Sequence, residues 1–156
     1  MRLPDLNRSA IRMADLYLMY AEALNEKGED YATVLPWIDM VRERSGLQGV
    51  KESWDQYVGN SKYATQTGLR QIIMQERRIE LAFEGHYFWD VRRWKTATTE
   101  LTQPLTGWKV RYGETDVDYY SENLVLVRDF TPKMYFWPID IGELRKDPNL
   151  VQNYGW

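Results

Sequence analysis

The fold is decided by residues 9–27, which read SAIRMADLYLMYAEALNEK. Apolar side chains recur there at helical spacing, at Ile11, Ala14, Tyr17 or Leu18, Ala21 and Leu24. This period predicts an amphipathic α-helix from about Ser9 to Lys27. Ser9 or Asn7 can cap its start. Lys27 followed by Gly28 is typical of a helix end, because a cation suits the C-terminal dipole and glycine adopts left-handed backbone.

A second helix is predicted from about Thr33 to Arg44, and it stops at Gly46. Its apolar face carries Val34, Trp37, Ile38 and Val41. Pro36 fits if Thr33 is the N-cap, since the third helical N–H has no partner inside the helix for proline to remove. The two helices are expected to form a hairpin over residues 9–46.

A second hairpin is predicted over residues 67–95. Its first helix begins near Thr67 and has one stripe, which contains Leu69, Ile72, Glu76, Ile79 and Phe83. Glu76 is therefore expected to be buried and bonded to an arginine. Beyond Gly85, residues 86–95 continue the period as a fourth helix or a kinked continuation. Residues 48–66 scatter Gly, Ser and Asn among aromatics, which predicts an exposed connection.

The helical period disappears in residues 96–156. Short apolar runs at 108–112, 124–127 and 134–137 predict extended segments in a mostly irregular tail. The tail's last residues, 147–156, are expected to pack on the helices through Leu150, Val151 and Trp156. Consecutive helical hairpins are typical of a tetratricopeptide-like stack. The sequence thus predicts an all-α, tetratricopeptide-like fold with an irregular tail, as one domain over residues 1–156.

Composition excludes several classes of function. Lys and Arg number 20 against 23 Asp and Glu, and no basic stripe could neutralise a nucleic acid backbone. The chain has no cysteine, which excludes disulfides, thiolate metal sites and a lipidated cysteine within it. No apolar stretch approaches a bilayer span, so a soluble chain is expected. Tryptophan and tyrosine, at 7 and 11, outnumber phenylalanine at 4, as is typical of half-wet binding surfaces.

Four ordered stretches carry a resemblance to a known family. Residues 12–23 read RMADLYLMYAEA, residues 38–47 read IDMVRERSGL, and residues 75–85 read QERRIELAFEG and continue through DVRRW at 90–94. The ending, residues 137–156, contains WPID, EL and DPNLVQNYGW. Together they resemble the C-terminal region of SusD/RagB proteins. The departures from the family pattern are Asp39, where Asn is commoner, Ser45, His86, Asp140 and Tyr154.

The resemblance implies a function and a place in the cell. SusD/RagB proteins are surface-exposed outer-membrane lipoproteins that capture oligosaccharide without catalysis and deliver it to a TonB-dependent, SusC-type transporter. They are longer than this chain, and much of their glycan site belongs to chain that would precede Arg12. The resemblance therefore implies a C-terminal fragment of such a protein. The alternative is a tetratricopeptide-like module that binds protein and has no sugar role.

Three carboxylates on one helical face invite an enzymatic interpretation. Glu76, Glu80 and Glu84 fall at i, i+4 and i+8, and a pair of carboxylates is what glycoside hydrolysis or a di-metal site would use. A ferritin-type site needs Glu-x-x-His, however, and Phe83 stands three residues before the only histidine, His86. The favoured interpretation is a structural ion-pair network of Glu76, Arg77, Arg78, Glu80, Glu84, Arg92 and Arg93. We expect no enzyme activity, no metal and no cofactor.

The candidate ligand-binding residues are aromatic. Trp108, Tyr112, Tyr119 and Tyr120 lie in chain that is predicted to be non-helical, among Lys109, Arg111, Glu114 and Asp118. Such side chains pair a flat apolar face with a polar tip. The alternative is that they pack against the N-terminal part of the longer protein that the resemblance implies, since exposed aromatic patches most often mark protein contacts.

Overall fold

The computed structural model describes residues 11–109 and 115–156. Its α-helices are α1 (Met13–Lys27), α2 (Tyr31–Arg44), α3 (Val50–Ser53), α4 (Gln66–Glu80), α5 (His86–Arg93), α6 (Ala97–Glu100), α7 (Asp116–Tyr119) and α8 (Ile141–Lys146). Two short strands, β1 (Leu105–Trp108) and β2 (Glu122–Leu126), complete the regular structure. The described chain is mostly helical, which confirms the all-α prediction.

The chain divides into two compact units, unit 1 up to Tyr87 and unit 2 from Phe88. The predicted second hairpin, residues 67–95, falls across this division. In unit 1, α4 packs on α1 and α2. The expectation of one domain over residues 1–156 stays a prediction.

The first hairpin forms as predicted. Helices α1 and α2 pack against each other through fully buried Leu18, Ala21, Val34 and Ile38. Helix α1 ends at Lys27, and Gly28 follows with a φ of 88°, in the left-handed region that glycine enters without a side-chain clash. Helix α1 begins at Met13, and the predicted caps Ser9 and Asn7 lie outside the described residues.

The predicted N-cap of the second helix, Thr33, is wrong. Helix α2 begins at Tyr31 with Asp30 as its N-cap, and the Asp30 carbonyl accepts bonds from the N–H groups of Thr33 (2.9 Å) and Val34 (3.3 Å). Pro36 therefore lies inside the helix. A proline at this position leaves one carbonyl of the first turn without its usual helical donor. Val34 and Leu35, the two residues before Pro36, are buried, and their burial stabilises this part of the helix.

Residues 48–66 are more ordered than the expected exposed connection. They contain α3, one π-helical turn (Trp54–Val58) and one 3₁₀ turn (Lys62–Ala64). Val50 and Tyr63 are buried in the core of unit 1. The Asp39 side chain accepts a hydrogen bond from the Val50 N–H at 2.7 Å, which fixes the start of α3. The glycine and serine content therefore does not indicate disorder here, because two buried apolar side chains and one side-chain hydrogen bond order the segment.

Helix α4 buries a different stripe from the predicted one. Its buried residues are Gly68, Leu69, Ile72, Ile73 and Arg77, and the Thr65 side chain caps the start by accepting from the Gly68 N–H. Ile79 is 62% exposed although it lies seven residues, and so only about 20°, from buried Ile72. The buried face of α4 ends at Arg77, before the last residues of the helix. Phe83 is fully exposed because the helix ends at Glu80, after which the helical period no longer applies. The predicted burial of these two side chains is wrong.

Unit 2 contains a two-stranded antiparallel sheet. β1 pairs with β2 in a register that sets Trp108 opposite Glu122 and Gly107 opposite Asn123. The predicted extended segment at 134–137 is wrong, since residues Pro132–Tyr135 form a 3₁₀ turn. Pro132 supplies the φ of the first position, and the Met134 N–H donates to the Thr131 carbonyl at 2.9 Å.

The last residues of the chain are held by polar side chains. The Gln152 amide accepts from the Ile139 N–H at 2.8 Å and donates to the Ile139 carbonyl at 2.9 Å. The Trp156 indole N–H lies 3.1 Å from the carbonyl oxygens of both Lys133 and Phe136. The prediction that the tail buries Leu150, Val151 and Trp156 is wrong, because these side chains are 42%, 83% and 47% exposed. Hydrogen bonds from side chains to backbone groups, more than apolar burial, order this segment.

Candidate functional site

Three of the four predicted ligand-binding aromatics lie together on unit 2. Trp108 ends β1, Tyr119 ends α7, and Tyr120 follows directly. The Lys109 N–H donates to the Tyr119 carbonyl at 3.1 Å, which ties the two segments together. Tyr112 lies outside the described residues. We call Trp108, Tyr119 and Tyr120 the aromatic triad.

The rings of the aromatic triad contact one another and remain open to solvent. The ring centroids of Trp108 and Tyr120 are 5.1 Å apart at 81°, and those of Tyr119 and Tyr120 are 5.0 Å apart at 83°. Edge-to-face pairs of this kind are favoured by the ring quadrupoles and hold each other in place. Trp108 is 59% exposed and Tyr120 is 60% exposed. The triad is thus a fixed aromatic surface that is not covered by other described parts of unit 2.

The local sequence explains why the triad forms. The Thr115 side chain accepts from the Asp118 N–H at 3.2 Å and donates to the Asp118 carboxylate at 2.7 Å. The Ser121 hydroxyl donates to the Asp118 carbonyl at 2.6 Å, so α7 is bonded at both ends. The expectation that Tyr119 lies in non-helical chain is therefore wrong. A threonine three residues before an aspartate, as in TDVD, is a capping signal that could have indicated this turn.

Polar groups stand beside the aromatic triad. Trp108 and Glu122 are directly opposite in the antiparallel pair, so their side chains lie on the same face of the sheet. Asn123 is the next residue of β2, and its side-chain amide donates to the Ser121 carbonyl at 3.3 Å. Because successive side chains of a strand alternate, Asn123 lies on the opposite face of the sheet from Trp108 and Glu122. An exposed indole beside a carboxylate can stack on an apolar ring face and accept from hydroxyl groups at its rim.

The three glutamates of the predicted ion-pair network pair with two arginines of α2 and with Arg12, the residue before α1. Glu80 accepts from Arg12 Nη1 at 2.8 Å and from Arg44 Nη2 at 2.5 Å. Arg12 also reaches Glu84 at 2.8 Å, and Arg42 pairs with Glu76. The hydrogen bond to Glu80 raises the pKa of Arg12 above its ordinary value. These carboxylates therefore tie the helices of unit 1 together.

The arginines that the sequence assigned to this network have other contacts in the structure. Arg77 pairs with Asp15 at 2.9 Å, and both side chains are buried. Arg78 lies 5.0 Å from the centre of the Tyr87 ring. Arg93 pairs with Asp90 at 2.8 Å, and Arg92 donates to the Met134 carbonyl. Sequence reasoning missed Arg12, Arg42, Arg44 and Asp15, because partner choice across helices depends on how the helices pack.

Residues 11–109 and 115–156 contain no group of three or more His, Asp or Glu that could hold a metal ion. Within the same residues, no helix is both long enough and apolar enough to cross a membrane.

Comparison with known proteins identifies relatives over nearly the whole chain. The SusD family model matches residues 5–156. SusD-like protein P25 of Formosa agariphila is 39% identical over 94% of this chain and 24% of the relative. SusD-like protein P38 of the same organism is 28% identical over 97% of this chain and 25% of the relative. This chain thus spans about a quarter of the length of these relatives.

Solved structures of similar fold agree with the match to the SusD family model. A SusD-like protein from Bacteroides fragilis superposes with a TM-score of 0.72 at 30% identity, over 92% of this chain and 25% of that one. The structure named BT4246 gives a TM-score of 0.78 at 26% identity, over 94% of this chain and 23% of that one. These matches confirm the resemblance and the tetratricopeptide-like helical class that the sequence predicted.

Proposed function

This chain belongs to the SusD family, and from that premise we propose that it takes part in non-enzymatic capture of oligosaccharide. In this proposal the protein that contains it stands on the bacterial outer-membrane surface as a lipoprotein and delivers glycan to a TonB-dependent, SusC-type transporter. The relatives are about four times as long as this chain, so other parts of such a protein contribute to capture.

The observation that carries the proposal is the exposed aromatic triad. A sugar ring has an apolar face of C–H groups and a rim of hydroxyls. The open indole of Trp108 can cover the apolar face, and the Tyr120 ring stands at 81° to it, 5.1 Å away between centroids. Because the two rings already brace each other, binding orders few side chains and loses little conformational entropy.

The polar neighbours orient the sugar through hydrogen bonds to its hydroxyl groups. Glu122 is paired across the sheet with Trp108, and a carboxylate accepts hydrogen bonds from two adjacent hydroxyls. The Tyr119 and Tyr120 hydroxyls can both donate and accept. Nothing in this arrangement requires a bond in the sugar to break, so the chemistry supported is binding alone.

Calorimetric titration of the 156-residue chain with a panel of neutral oligosaccharides tests the proposal. We expect binding by at least one member, and Trp108→Ala should weaken it by about tenfold, because one stacking ring is lost. Trp137→Ala is the matched control, since Trp137 is a comparably exposed tryptophan outside the aromatic triad. An assay for new reducing ends should remain at background.

Two results would count against the proposal. A flat response across the panel would favour the alternative, a tetratricopeptide-like module that binds protein. Equal losses in Trp108→Ala and Trp137→Ala would mean that the triad is not the contact surface.

A further inference from the structure

Unit 2 contains a cleft of about 730 Å³ that the sequence did not indicate. This volume is within the ~300–1,000 Å³ usual for ligand sites. The aromatic residues that line it are Trp89, Tyr135, Phe136 and Tyr154. They come from three separate segments of the chain, the helix α5, the 3₁₀ turn and the C-terminal residues. The walls are mainly apolar and aromatic.

Cations also line this cleft, and among the described residues no Asp or Glu does. Arg92 is held between the rings of Phe88 and Phe130, at 4.1 and 5.1 Å from their centres, and it donates to the Met134 carbonyl. In the described part of the chain, Arg92 forms no ion pair with a carboxylate. Its charge is thus fixed in place by aromatic and backbone contacts and remains available to an anion.

Lys95 adds a second positive charge at the same cleft. It follows α5 with a φ of 58°, a left-handed conformation that is uncommon for a residue with a side chain. No carboxylate pairs with it among the residues that the structure describes. Lys95 lines the cleft together with Trp89 and Arg92 of α5.

From this geometry we infer that the cleft binds an acidic sugar unit, one that carries a carboxylate or a sulfate. The aromatic walls cover the apolar face of the ring, and Arg92 and Lys95 pair with its anionic group. The inference rests on the proposed function, because it assigns a substrate class to glycan capture. It concerns a different surface from the aromatic triad.

The probes are two acidic oligosaccharides, a galacturonate trimer and a chondroitin sulfate tetrasaccharide, each titrated beside a neutral counterpart that lacks its acidic groups. We expect one acidic probe to bind at least about tenfold more tightly than its counterpart. Its affinity should fall as sodium chloride is raised from about 50 to 300 mM, because salt screens charge pairs.

Variants locate the binding. Lys95→Gln should weaken binding of the acidic probe by about fivefold, and Lys95→Arg should restore it, since an exposed ion pair contributes up to about 1 kcal/mol. Trp89→Ala should weaken it by about tenfold. Lys146→Gln is the matched control, because Lys146 is an exposed lysine on α8 that pairs with Glu143 and does not line the cleft.

The outcomes separate this inference from the proposed function. It is overturned if neither acidic probe binds more tightly than its counterpart, or if Trp108→Ala abolishes acidic binding while Trp89→Ala and Lys95→Gln leave it unchanged. Neutral oligosaccharide binding that depends on Trp108 would then still support the proposed function. Acidic binding that depends on Lys95 and Trp89 supports the inference, whatever the neutral panel shows.

Discussion

Unit 1 and unit 2 place their apolar side chains in opposite ways. In unit 1 the apolar residues of α1, α2 and α4 form a buried cluster, and Arg77 and Asp15 lie buried as a pair beside it. In the described part of unit 2, the buried apolar side chains are Val91, Ala97 and Phe130, whereas Trp108, Trp137 and all four apolar residues at 124–127 are exposed.

The difference indicates what stabilises each unit. Unit 1 has the apolar burial and internal ion pairs of an ordinary helical core. Unit 2 is held by side-chain bonds to backbone groups, such as those of Gln152 and Trp156, and keeps its aromatic area at the surface. The first arrangement supports a scaffold, and the second supplies a contact surface.

The largest expected effect is loss of the buried pair in unit 1. Arg77→Ala should lower the free energy of unfolding by about 4 kcal/mol, because the Asp15 carboxylate would stay buried without its arginine. Arg77 is only 3% exposed, so water cannot replace the lost contact. Chemical denaturation followed by circular dichroism measures the change.

The control comes from unit 2. Lys146→Ala removes an exposed pair with Glu143 and should change stability by less than about 0.5 kcal/mol. The double change Asp15→Leu, Arg77→Met should recover much of the loss, since it removes both charges together. If Arg77→Ala unfolds at the parent's denaturant concentration, the contrast between the units is wrong.

A smaller effect is expected from a side chain that orders unit 2. Gln152→Ala should lower stability by about 2 kcal/mol, because both the N–H and the carbonyl of Ile139 lose their partner. Hydrogen exchange should show faster exchange at the Ile139 amide while the amides of α1 and α2 keep their rates. Val151→Ala, at the neighbouring exposed position, should change neither quantity. Unaltered Ile139 exchange in Gln152→Ala would show that apolar packing orders the tail after all.

The helices of unit 1 were predictable because a long apolar period survives in the sequence. α1, α2 and α4 all begin within a few residues of the predictions. The N-cap of α2 was not predicted, because Asp30 caps the helix through its carbonyl and not through its side chain. All three residues of the aromatic triad were candidate ligand-binding residues from residue type alone. The ion-pair partners Arg12 and Arg44 were not, since they meet Glu80 only once the helices have packed.

The cleft of unit 2 could not be predicted from the sequence. Trp89 and Tyr154 are 65 positions apart in the chain, and no periodicity links them. Both residues line the cleft together with Pro132 and Tyr135 of the 3₁₀ turn, a part of the chain that overlaps the extended segment predicted at 134–137. Short turns of this kind are set by single capping contacts, and such contacts leave little trace in an apolar pattern.

The smallest expected effect compares two aspartates that accept the same kind of bond, one in each unit. Asp39 accepts from the Val50 N–H and Asp140 from the Gly142 N–H, both at 2.7 Å. Asp140 is exposed, but burial raises the pKa of Asp39 above its ordinary value, against the opposing effects of the Val50 bond and of Arg42. The native state therefore keeps the Asp39 proton to a higher pH than the unfolded chain does. It follows that the Asp39 contribution to stability falls as pH rises from the ordinary aspartate pKa through the raised one.

Asp39→Asn is neutral at every pH and can still accept from Val50, so it should stabilise by up to about 1 kcal/mol at pH 7 and by nearly nothing at pH 3. Asp140→Asn should show no such gain, since aspartate and asparagine are nearly equivalent as exposed caps. Thermal unfolding of the three proteins across this pH range measures the differences, and a gain for Asp39→Asn that is the same at pH 3 and pH 7 would rule out the buried carboxylate as its cause.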